Sequence, residues 1–198
     1  MTHSVVTYNG PMRWNPDARG RLERAAFELF SEQGYAATTV PQITERAGLT
    51  TRSFFRYFPD KREVIFGGNE IPDTAARLIR TAPPTLEPMD VIRLVLYEVA
   101  TKRFDGYKEQ TAAWRRLIDA NDSLRDRDAR KRADLVLAAR AAFIDRGESE
   151  FNATLLAEAG ALVFHVALNQ WVTEQDPRSM ADTIADVMKL LHIYSTPQ

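Results

Sequence analysis

The sequence predicts an all-α protein of about nine helices, a short N-terminal group of three followed by a longer helical bundle. Two observations lead there: apolar residues recur near a 3.6-residue period through most of the 198 positions, and strand signals are scarce. A third is that glycine and proline fall mainly between the periodic segments.

The first helix is expected from about Pro16 to Gln33, with Ala18, Leu22, Ala26 and Leu29 on one stripe and Phe30 beside it. Asn15 is its expected N-cap, Pro16 suits the first turn, and Gly34 ends it. In the second helix Thr39 precedes Gln42 at capping-box spacing, Pro41 lies in the first turn, and the helix stops at Gly48. A third begins at Thr50 or Thr51 and ends near Phe58, because Pro59 disfavours helical geometry in the residue before it. Asp60 and Glu63 open a fourth helix, which Gly67-Gly68 and Pro72 either kink or break before it resumes over 74–81. Pro83, Pro84 and Pro88 mark a loop, and further helices are expected over about 89–104, 108–120, 122–146, 150–175 and 178–193. The domain organisation that follows is a tail over 1–14, a first domain over 15–68 and a second over 69–198.

Composition narrows the class. Hydrophobic residues make up 44% and charged residues 27% of the chain, an ordinary globular balance. Cysteine is absent, which excludes disulfides, thiolate metal sites and cysteine nucleophiles, and fits a reducing cytoplasm. Met1 to Pro11 hold no basic stretch followed by an apolar one, so no signal peptide is expected. No apolar run approaches the ~20 residues a bilayer span requires, so no membrane partner is expected either. The net charge of −1 is unevenly spread: residues 1–68 carry 9 Lys+Arg against 7 Asp+Glu, leaving +2 there and −3 beyond.

The segment TTVPQITERAGLTTRSFFRYFPDK, Thr38 to Lys61, is where the chemistry concentrates. Two short helices meet at Ala47-Gly48-Leu49-Thr50, with glycine where a positive φ is easiest. Ile43, Ala47, Leu49, Phe54 and Phe58 are expected to form the small core that sets their angle. This is the pattern of a helix-turn-helix whose second helix enters the DNA major groove. Thr50 and Thr51 suit capping and phosphate contact, Arg52 suits a guanine edge, and Ser53 lets the backbone approach. Tyr57 and Lys61 lie toward flanking phosphates on this reading. A plain helical hairpin with a capped, solvated turn would have the same local pattern.

The stretches ERAAFELFSEQGYAATTVPQITERAGLT and RSFFRYFPDK give that segment a closer parallel. From about Asn15 to Gly67 the chain resembles the DNA-binding domain of the TetR family of bacterial regulators, in both the order and the spacing of these motifs. The resemblance implies a three-helix helix-turn-helix domain followed by a helical ligand-binding and dimerisation domain. By position it implies that Thr39 caps the first motif helix near a phosphate, and that Thr50, Thr51, Arg52 and Ser53 begin the recognition helix. Phe55, Tyr57 and Lys61 then occupy backbone-contacting positions. The chain departs from the family twice: Phe55 stands where tyrosine is frequent, and Pro41 where some members carry a base-reading arginine. Specificity is therefore expected to rest on Thr51, Arg52 and Ser53.

Beyond residue 89 the helix over 150–175 carries two apolar stripes, Leu155, Ala159, Leu162 and Val166 on one and Leu156, Val163, Ala167 and Trp171 on the other. The last helix carries Ile184, Val187, Met188 and Leu191, with Met180 extending the stripe. The resemblance implies that these two helices pair with their copies across a twofold axis. Leu155, Ala159, Leu162, Val166, Ile184, Val187, Met188 and Leu191 are the interface expected from that, and burial within a monomeric core is the other reading. A bundle interior suits an apolar ligand, with Leu94, Tyr97, Phe104, Trp114, Phe143, Phe164 and His165 as candidate lining residues or ordinary packing. The ending FFRYFPDK also resembles a subgroup that senses acyl-type ligands. The alternating charges of 125–132 read as a solvated helix face.

Enzyme chemistry finds no footing: HExxH, a phosphate-cradling glycine loop and a carboxylate cluster are all missing, and His3, His165 and His192 have no partner in the sequence pattern. No catalytic residue, metal or cofactor is expected. The expected partners are double-stranded DNA, a second copy of the chain and a small hydrophobic effector that releases a repressor from a near-palindromic operator. The competing reading is a helical dimeric protein-interaction module without specific DNA binding.

Overall fold

The computed structural model describes residues 18–68, 70–175 and 177–195. Among them are ten helices: α1 (Ala18–Gln33), α2 (Val40–Arg46), α3 (Thr51–Tyr57), α4 (Glu63–Phe66), α5 (Glu70–Thr81), α6 (Pro88–Arg103), α7 (Lys108–Asp119), α8 (Asp122–Asp145), α9 (Glu150–Thr173) and α10 (Met180–Ser195). The all-α expectation holds, with one more helix than the nine expected. Gly67 and Gly68, both left-handed at φ 67° and 69°, break the fourth helix into α4 and α5. Pro72 does no damage because it falls in the first turn of α5, where no intrahelical N–H bond is lost. Asn15 and Pro16 lie outside the described residues.

The chain divides into two compact units, the first ending at Ile65 and the second starting at Phe66. In the first, α1, α2 and α3 each pack on the other two. Leu22, Ala26, Ile43 and Phe54 are fully excluded from solvent, and Phe30, Ala47, Phe58 and Val64 nearly so. Phe54 and Phe58 sit 5.4 Å apart, one helical turn from each other, and anchor α3 by its inner face. Each fully buried aliphatic or aromatic side chain contributes roughly 1.5–3 kcal/mol. Leu49 is only half-buried, because it closes the turn rather than filling the core.

The second unit is built on α8 and α9, each of 24 residues and packed along one another, with α5, α6, α7 and α10 around them. Its core holds Val91, Ala142, Phe143, Ala153, Ala167 and Met180. Arg146, just past α8, donates to the carbonyls of Ile79, Ala82 and Pro83 and so satisfies the carbonyl end of α5. Trp171 Nε1 donates to Arg178 O at 2.9 Å and fixes the connection between α9 and α10.

α9 is the more apolar of the two 24-residue helices. It has an eighteen-residue window of mean hydropathy 1.5, long and apolar enough by length and composition to cross a membrane. The physical reason for that apolarity is double use. Ala157, Ala161, Phe164, Leu168 and Trp171 are buried in the unit's own core, while Leu155, Leu162 and Val166 form a second stripe left 43–60% exposed.

Candidate nucleic-acid interface

The turn between α2 and α3 is closed by local chemistry. Gly48 N–H donates to Glu45 O and Leu49 N–H to Thr44 O, a glycine-terminated helix end that needs the left-handed φ of 63° found at Gly48. Arg21 on α1 reaches over to the same place, its Nη2 bonding to Ala47 O and, at 3.3 Å, to Gly48 O. A Cβ at position 48 would stand 2.8 Å from that nitrogen, the movable end of a flexible side chain, so it is the left-handed φ that restricts the turn to glycine. No local sequence signal marks Arg21, because its partners lie 26 and 27 residues away.

Both motif helices start on side-chain caps. Thr39 and Gln42 form the reciprocal box: Thr39 Oγ1 accepts from Gln42 N, and Gln42 Oε1 accepts from Thr39 N at 2.8 Å. A cap of this kind stabilises by about 1 kcal/mol. Thr50 caps α3, accepting from Ser53 N at 3.2 Å, and its hydroxyl lies 3.1 Å from that of Ser53. Phe58 ends α3 in extended geometry just before Pro59.

Of the expected DNA-contacting residues, Thr39, Thr50, Thr51, Arg52, Phe55 and Tyr57 are exposed and Ser53 is half-buried. Arg52 has no bonded partner among the described residues, so its guanidinium stands uncommitted on the outer face of α3. Tyr57 differs: its phenol accepts a 2.7 Å bond from Arg56 Nη2, and the Arg56 guanidinium lies 4.7 Å from its ring centre. Arg56 was not singled out from the sequence, although the Arg-Tyr dipeptide on an exposed helix end was there to see.

Lys61 requires a correction. Its ammonium was expected at a flanking phosphate. Instead it donates to Tyr35 O at 2.6 Å and Thr38 O at 2.7 Å and lies 4.1 Å from the Tyr35 ring centre. Burial draws its pKa below the usual lysine range. It ties the end of the motif to the loop between α1 and α2. Beside it the Arg62 charge is met by Asp60 at 2.7 Å, an ion pair that holds the Asp60 carboxyl below its ordinary range.

Residues 23–66, from α1 through α4, match the family described as bacterial regulatory proteins, tetR family. The likeness to the TetR family lies in α1 through α4. Curated relatives include the HTH-type transcriptional regulator TcmR of Streptomyces glaucescens, 48% identical over 61 residues, which is 29% of this chain and 27% of that protein. The HTH-type transcriptional regulator HbdR of an Aromatoleum strain is 42% identical over 50 residues, 25% of this chain and 22% of its own length. The chain thus spans about a quarter of the curated relatives it matches. The fold extends much further: Thermus thermophilus FadR, a TetR-family transcriptional repressor solved with lauroyl-CoA, superposes with a TM-score of 0.52. That match covers 91% of this chain and 96% of FadR at 20% identity.

In the second unit a cavity of about 40 Å³ lies among α5, α6, α8 and α9. Ile79, Ile92, Val95, Val99, Phe143, Gly160 and Phe164 are among its lining residues, and every side chain lining it is apolar. Two of the seven expected lining residues are there, Phe143 and Phe164. The other five lie outside that lining. Tyr97 is 57% exposed, because it sits on the solvent side of α6, opposite Val95 and Val99. Phe104 packs edge-on against Phe164 and Trp171 at 5.8 and 6.3 Å. Leu94 and Trp114 are half-buried outside the lining. His165 is turned away, its Nδ1 bonded to Ala161 O at 2.9 Å, and burial lowers its pKa.

The expected dimer face also divides. Leu155, Leu162 and Val166 are exposed and Ala159 is half-buried. Ile184 and Met188 are instead part of the chain's own core, with the partly buried Val187 and Leu191 packed against it. Their stripe faces α9 and α6, the two helices that α10 packs on.

Proposed function

We propose that this chain is a one-component transcriptional regulator, most simply a repressor, that binds a near-palindromic operator as a homodimer and is released by a small hydrophobic effector. The observation that carries the proposal is α3: capped by Thr50, anchored by Phe54 and Phe58, and presenting an exposed, uncommitted Arg52. A rigid helix with a free guanidinium suits bidentate reading of a guanine edge, with Thr50, Thr51 and Ser53 at its start and Phe55 and Tyr57 along it. The exposed α9 stripe supports twofold pairing, and the wholly apolar cavity supports a hydrophobic, acyl-like effector. A coupling of ~1–3 kcal/mol between cavity and DNA would change operator affinity by about 5–150-fold.

The test is selection from random duplex DNA at two salt concentrations. A near-palindrome with salt-sensitive affinity is the expected product, since each phosphate neutralised releases counterions. A folded dimer that enriches no sequence under either condition defeats the proposal in favour of a protein-interaction module. On the selected duplex, Arg52→Ala is expected to cost about 1–3 kcal/mol and relax sequence preference at one base pair of each half-site. Unchanged preference would remove Arg52 from base reading.

A further inference from the structure

We infer that Arg56 and Tyr57 form a preassembled phosphate clamp, and that Arg56 supplies the backbone-binding charge of the recognition helix. The inference rests on the regulator reading above and assigns a residue that reading did not use.

Charge bookkeeping around α3 leads to it. Four cations lie between residues 51 and 62: Arg52, Arg56, Lys61 and Arg62. Lys61 is held by two backbone carbonyls and Arg62 by Asp60. Arg56 bonds a neutral phenol, so its charge is oriented without being cancelled. Residues 52 and 56 are one helical turn apart and share a face, which places the second guanidinium beside the first.

The geometry of the pair suits an anion. Because the Tyr57 oxygen accepts from Arg56 Nη2, its own hydrogen is directed elsewhere, and the remaining guanidinium N–H groups stay available. One phosphate can then receive a phenolic O–H and a guanidinium N–H together, the charge-assisted arrangement that planar arginine favours. Stacking on the Tyr57 ring holds the guanidinium in place before binding, which lowers the ordering cost. The phenol also offers a hydroxyl that Phe55, at the neighbouring family tyrosine position, lacks.

The experiment measures affinity for the selected duplex against salt for the full-length chain and for Arg56→Ala, Arg56→Gln, Tyr57→Phe and the double variant Arg56→Ala/Tyr57→Phe. Arg56→Ala is expected to weaken binding roughly tenfold per recognition helix. The slope of log affinity on log salt should fall by about one per helix, with base preference intact. Tyr57→Phe should weaken the parent more than it weakens Arg56→Ala, because the two groups act on one phosphate. Arg56→Gln keeps a polar stem without charge and should reproduce the slope change. If the parent binds DNA but both Arg56 variants keep its slope, the clamp is wrong and Arg56 merely packs on Tyr57. A parent that binds no duplex at all instead overturns the regulator reading, and the clamp falls with it.

Discussion

Phe54→Ala is expected to abolish DNA binding and unfold the first unit while the second keeps its helices. Phe54 is wholly excluded from solvent and contacts the rings of Phe55 and Phe58 at 5.4 Å each. Removing a buried phenylalanine costs about 3–5 kcal/mol. A unit of this size, at about 0.05–0.15 kcal/mol per residue, has little more than that to lose. The second unit draws its core from residues beyond 70 and is expected to survive. Amide exchange read residue by residue would show protection lost over α1–α3 and retained over α8 and α9. Protection kept in α1–α3 would mean that the small core does not depend on its central aromatic. The exposed neighbour supplies the contrast: Phe55→Ala should leave protection unchanged.

The double substitution Leu162→Glu/Val166→Glu is expected to convert a dimer into a monomer and reduce operator affinity by about 10²–10⁴-fold. Both side chains are exposed on α9, so the chain's own core is untouched. Paired in a twofold interface they would set four carboxylates in an apolar seam, where each uncompensated charge is costly. A monomer loses the second recognition helix, and with it the effective concentration that makes two modest contacts one strong one. Sedimentation velocity with helical content as control is the measurement. A dimer that persists would mean that this stripe is not the twofold seam. Ile184→Glu marks the difference from the other expected interface residues: it is 3% exposed within the core and should unfold the second unit.

What could be read from the sequence was whatever local chemistry controls. The Thr39–Gln42 box, the Thr50 cap, the glycine turn at Gly48 and the stop before Pro59 each need only residues within a few positions of one another. The two faces of α9 were legible as well, since a 3.6-residue period shows both stripes. Periodicity alone does not say which stripe faces solvent, because Leu162 and Phe164 are equally apolar; the outward stripe of Leu155, Leu162 and Val166 is expected only through the family resemblance. The same holds for α10, whose stripe is core rather than seam. Long-range polar contacts were invisible for a different reason: Lys61 finds carbonyls 26 and 23 residues back along the chain, and nothing near it announces them. Much of the cavity lining was not legible because Ile92, Val95 and Val99 are aliphatic positions on α6 with the same sequence pattern as any core residue.

That cavity, at about 40 Å³, is far below the ~300–1,000 Å³ of a site that encloses a drug-sized molecule. An effector of that size would therefore need a wider arrangement of α5, α6, α8 and α9, and its observed affinity would be the intrinsic one reduced by the fraction of molecules already widened. Time enters as well as affinity. When opening precedes capture, association stops accelerating with effector concentration once capture outpaces opening, and the helices then set the rate. Substitutions that loosen α6 against α9 would tune how fast the protein responds, without touching a single atom of the bound molecule.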